Sequence, residues 1–142
     1  MVDFITAFEA GLNAAGIADK NKREINSVFE ELNKQLAKAT DGKVNIELRT
    51  PSLLRLIYAE QSKKNQAIYA FNPLIKSADA KELARWNLDP NGYPCKISFS
   101  NKELYCEDKS ALERTLADML QDPTVGEALS KLIQLSEAKE SE

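Results

Sequence analysis

Apolar positions recur at helical intervals near the start of the chain. Ile5, Phe8 and Leu12, with Phe4 beside them, predict a short amphipathic helix from Asp3 to about Ala15. Gly16 is expected to end it, and Asp19 to cap a second, longer helix. In that helix Ile25, Val28, Phe29, Leu32 and Leu36 repeat at three-and-four spacing, while Lys22, Glu30, Glu31, Lys34 and Lys38 take the other faces. Asp41-Gly42 stops it, because glycine readily takes the left-handed conformation that closes a helix.

The period then changes from about 3.6 to 2. Val44, Ile46 and Leu48 alternate with Asn45, Glu47 and Arg49, which predicts a strand over 44–49 with one buried face. Thr50-Pro51 restarts a helix, to about Ser62, by a hydroxyl cap followed by a proline that needs no donor in the first turn. A second strand covers 67–72 and stops before Pro73. Leu83 and Trp86, three apart, suggest a short helix from Ser77 to about Asn87, and Asp89-Pro-Asn-Gly-Tyr-Pro94 is the strongest turn signal in the chain.

Two short alternating runs, 95–100 and 103–107, flank Asn101-Lys102 and read as a hairpin. Pairing Ser100 with Glu103, Phe99 with Leu104 and Ile97 with Cys106 puts Cys95, Ile97, Phe99, Leu104 and Cys106 on one face. A slip by one residue would mix that face with polar groups. Asp108 or Ser110 caps a helix buried through Leu112, Leu116, Met119 and Leu120, with Ser110 and Glu113 at capping-box spacing. Asp122-Pro123 starts a last helix lined by Val125, Leu129, Leu132 and Ile133, and the charged end, about 137–142, is expected to fray. Together these elements predict an α+β fold in a single domain over 1–142. It has about four mainly antiparallel strands (44–49, 67–72, 95–100, 103–107), with two N-terminal and two C-terminal helices packed on the sheet.

Composition narrows the function. With 43% apolar and 29% charged residues the chain is expected to fold, and with no apolar run near membrane-spanning length it is expected to stay in the cytoplasm, off the membrane. It holds no histidine, no glycine-rich phosphate loop and only two thiols, Cys95 and Cys106. The usual general base near neutral pH and most metal-ligand spacings are therefore missing, and no cofactor or metal is expected. In the hairpin register above the cysteines are diagonal neighbours, roughly 7–8 Å apart at Cβ, too far for a disulfide, and are expected to be buried, reduced and inert. The carboxylate clusters Glu30-Glu31, Glu107-Asp108 and Asp118 with Asp122 lie on polar helix faces or at helix starts, where they serve solvation and capping.

Charge is unevenly spread over a net −3. Residues 1–42 hold five basic and seven acidic groups, 43–102 ten and five, and 103–142 four and ten. Two binding readings follow, ahead of an enzyme using only carboxylates, lysines or tyrosines. The leading one is a small non-enzymatic module that binds another protein, such as an inhibitor, immunity protein, adaptor or accessory factor. Asp89, Asn91 and Tyr93 on the rigid turn and Glu113 and Asp118 on acidic helix faces are its candidate contacts. The alternative is a nucleic-acid surface in the basic middle segment, where Arg49, Arg55, Lys63, Lys64 and Arg85 would meet phosphates and aromatics such as Tyr58, Tyr69, Phe71 and Trp86 would stack on bases. Trp86 is more at home in a core, and no pattern fixes the oligomeric state.

Overall fold

Two N-terminal helices are expected from the sequence; the protein has one. In the computed structural model, which describes residues 1–50, 65–75 and 79–140, α1 runs unbroken from Phe4 to Thr40. Gly16 costs an interior helix about 1 kcal/mol, too little to stop one flanked by Ala14, Ala15 and Ala18 and free of proline. Asp19 caps nothing: it pairs with Arg23 one turn on. The caps are Asp3, which accepts from the backbone N–H of Ile5 and Thr6, and the left-handed Asp41 followed by Gly42.

Among the described residues the sheet has five strands, all antiparallel and in sequence order: β1 (Asn45–Arg49), β2 (Asn65–Phe71), β3 (Lys81–Asp89), β4 (Gly92–Phe99) and β5 (Lys102–Cys106). The extra strand is β3, where a helix was expected. Its period of two is broken by a bulge: Ile68 pairs with Ala84 but Tyr69 with Glu82, so Leu83 is inserted and both Leu83 and Ala84 turn inward. The slip leaves Leu83 and Trp86 three apart on the buried side, which imitates a helical face. The helix expected from Pro51 to Ser62 lies outside the described residues.

The last hairpin exists, two residues out of the expected register. Cys95 faces Cys106, Ile97 faces Leu104 and Phe99 faces Lys102. Ser100 and Asn101 make the turn, both with positive φ, as a two-residue hairpin with the right twist requires. A slip of two keeps every side chain on its own face, so burial separates odd shifts from even ones but not two even registers from each other.

Two C-terminal helices follow, α2 (Lys109–Gln121) and α3 (Pro123–Glu140), capped by Asp108 and Asp122. The three helices among the described residues pack on the same face of the sheet. Between them and the strands sit Ile25, Val28 and Phe29 of α1, Leu112, Leu116 and Met119 of α2, and Val125 and Leu132 of α3. Trp86, 1% exposed, meets the edge of Phe29 at 5.4 Å between centroids. Edge strand β1 is sealed at one point: the Asn33 amide donates to the Ile46 carbonyl at 2.8 Å and accepts from its N–H at 2.7 Å. The single α+β domain is as expected, with one N-terminal helix and five strands replacing two and four.

Candidate interaction surface

Among the described residues, the helical body of α1 begins to lose exposure only at Ala18. Every residue from Met1 to Ile17 is exposed, so Phe4–Ile17 projects as a free arm, roughly 20 Å long at 1.5 Å per residue. The arm is amphipathic. Phe4, Ile5, Phe8 and Leu12 form one stripe and are 73%, 72%, 66% and 59% exposed. The sequence marks these residues as a helix face but gives no sign that the face is left exposed, because the same spacing recurs in Ile25, Val28, Phe29, Leu32 and Leu36, which pack into the core. A solvent-facing stripe of two phenylalanines, an isoleucine and a leucine is a feature that soluble surfaces rarely tolerate without a partner.

Where the arm joins the body it is fixed by the β3–β4 hairpin, Asp89 to Gly92. The Asn91 N–H donates to the Asp89 carboxylate at 2.9 Å, which shapes the turn, and Asn21 of α1 donates to the Asn91 carbonyl at 2.9 Å. Gly92, with φ of +91°, lies so close to the helix that a Cβ there would stand 2.6 Å from that of Asn21. Tyr93, the expected partner anchor, is half-buried: its ring packs on the core and its hydroxyl donates to Glu24 at 2.8 Å. Burial first, then the hydrogen bond and charge of Glu24, raise this phenol above its ordinary value of 10.0. A raised value means stabilisation that is whole below pH 10 and lost as pH rises further. The melting temperature should therefore fall above pH 10 more steeply in the native protein than in Tyr93→Phe; equal slopes would show that the folded protein does not hold the phenol above its ordinary value.

The other expected contacts are dispersed. Glu113 and Asp118 are exposed on α2, and Glu113 lines a groove of about 330 Å³ between α1 and α2, floored by Val28, Leu32, Leu116 and Leu120. Asp89 and Asn91 serve the hairpin just described. Of the basic set, Arg49 and Arg85 lie on the sheet face away from the helices, one on each side of Ala67. Each is matched by a carboxylate, Arg49 by Glu47 and Arg85 by Glu82, and Lys96 on the same face by Glu103. The Arg49 guanidinium stands 5.1 Å over Phe71 and 5.9 Å over Tyr69, so the protein itself occupies this aromatic platform. Arg55, Lys63 and Lys64 lie outside the described residues.

The thiols are free and fully buried, directly opposed across β4 and β5 instead of diagonal. The hydrogen bond with Cys106, then burial, raises Cys95 far above the usual thiol range. The same bond, with help from Thr115, makes Cys106 the more acidic of the two, against its burial. With both sulfurs out of reach of solvent, a water-soluble thiol reagent should label neither in the native state and both after unfolding. Rapid native labelling would contradict the burial. Among the described residues no group of three side chains could hold a metal ion, and no helix is long and apolar enough to cross a membrane. No protein-family model, curated protein or solved structure matches this chain.

Proposed function

We propose that this chain is a small, non-enzymatic, cytoplasmic module that works by binding protein, and that the arm is its binding element. The observation that carries the reading is the apolar stripe Phe4, Ile5, Phe8 and Leu12, held clear of the fold on a helix whose far half is anchored in the core. A helix presented this way binds by laying its apolar face against another apolar surface, with anchors at i, i+3, i+4 and i+7. Two free thiols fit a reducing compartment. Paired cations on the outer sheet face weigh against the nucleic-acid alternative, because a phosphate would have to displace a carboxylate at each one.

The test is capture with a tagged copy, followed by reconstitution from purified components, using the native protein and the Phe4→Ser/Phe8→Ser/Leu12→Ser variant. The native protein should retain a protein partner, its own untagged copy included. The variant should lose that partner with its melting temperature unchanged. Retention by both, or by neither, would overturn the reading.

A further inference from the structure

The arm's stripe is a heptad seam. Ile5, Phe8, Leu12 and Ala15 are spaced by three, four and three residues, and Asp19, four further on, ends the run by pairing with Arg23. Such a seam buries itself best against a second seam, and this one matches its own reverse. With two arms laid antiparallel and centred on Ala10, Phe8 of each meets Leu12 of the other, Ile5 meets Ala15 and Phe4 meets Gly16. Large residues thus face small ones at the outer layers, as close packing of two helices requires. The length also fits. In this register the cap Asp3 falls opposite Ile17, just before Ala18, where the folded body begins.

From this self-complementarity we infer that the arm's partner is a second copy of the same chain, in an antiparallel two-helix pairing with the folded bodies at opposite ends. The inference rests on the protein-binding reading and names the partner. A parallel pairing would oppose Ala15 to Ala15 and leave a gap, set Asp19 against Asp19, and crowd the two bodies together. A lipid surface is a poor match: the arm carries Asp3 and Glu9 and has no cation before Lys20, whereas helices that lie on membranes are rich in Lys and Arg. The area is adequate for a modest dimer. The four large side chains expose roughly 100–150 Å² each, so two arms cover roughly 1,000 Å², at the lower edge of specific interfaces. Because the pairing obeys a twofold axis, it closes at two copies.

Sedimentation of the full chain should give twice the 15.8 kDa monomer mass at about 100 μM, dissociating on dilution as expected for an interface of this size. Phe8→Asp/Leu12→Asp should be monomeric throughout with an unchanged melting temperature. The geometry is read by cysteine pairs. Under oxidised glutathione Ile5→Cys/Ala15→Cys should form a covalent dimer, since position 5 faces position 15 of the other copy, and Ile5→Cys alone should not. A monomer at every concentration overturns the inference, as does a dimer that survives the double Asp variant or cross-linking by Ile5→Cys alone. Arm-dependent co-sedimentation of a monomer with phosphatidylcholine–phosphatidylglycerol vesicles would assign the stripe to lipid instead. If the chain is monomeric yet loses a different captured protein in the serine variant, the protein-binding reading stands and only its self-pairing fails.

Discussion

Trp86→Ala should cost the fold about 3–5 kcal/mol, the range for deleting a buried large aromatic. The side chain is 1% exposed at the centre of β3 and packs edge-on to Phe29, so its removal opens a cavity under the helix layer and parts α1 from the sheet. Trp86→Phe is the informative companion. The indole Nε1 is buried and makes no hydrogen bond, so phenylalanine surrenders volume without breaking a polar contact. Urea denaturation should rank the native protein first, Trp86→Phe close below it and Trp86→Ala far lower. Equal losses for the two variants would mean that the nitrogen, not the ring volume, matters.

Gly92→Ala should be nearly as damaging, about 2–4 kcal/mol, although it adds one methyl group. Two costs combine: a positive φ that only glycine adopts freely, and overpacking, which alone runs to about 1–3 kcal/mol. The obstacle is the Cβ of Asn21 at 2.6 Å, fixed to the helix backbone, so it cannot swing aside as the end of a long side chain would. Asn21→Gly relieves the collision but also removes the bond to the Asn91 carbonyl, so the cycle is read against Asn21→Gly alone: adding Gly92→Ala to that variant should cost less in a thermal melt than adding it to the native chain. An equal cost in both backgrounds would place the whole loss in the backbone conformation.

Most of the layer architecture is legible in the chain because burial periodicity and caps agree. Asp3, Asp108 and Asp122 start helices, Asp41-Gly42 ends one, and Ile46, Ile97 and Leu116 point where their spacing says they should. What escapes is whatever breaks or survives the period. The bulge at Leu83 shifts the phase of β3 and turns a strand pattern into a helical one. The hairpin of β4 and β5 keeps its faces under a two-residue slip, so the turn at Ser100-Asn101, whose two residues must both take positive φ, decides the register. Tyr93 looks free beside a turn, yet its partner Glu24 is 69 positions away in sequence, a distance no local pattern spans. The arm shows a converse difficulty. Phe4, Phe8 and Leu12 announce an apolar helix face, but the same three-and-four spacing serves core and interface alike, and only the packed structure shows which of the two stripes is exposed.

Hydrogen exchange of the arm amides, followed by mass spectrometry across protein concentration, tests most directly whether that stripe is free in the single molecule and covered on association. Without tertiary contacts a short helical segment opens readily, whereas Ile25–Leu36 is locked by the core. At high dilution residues 4–16 should exchange quickly while 25–36 stays protected. As the protein is concentrated the arm alone should slow. Protection of the arm equal to that of 25–36 at every concentration would mean that the stripe is covered within its own molecule, and an arm that stays unprotected at about 100 μM would mean that no second copy covers it.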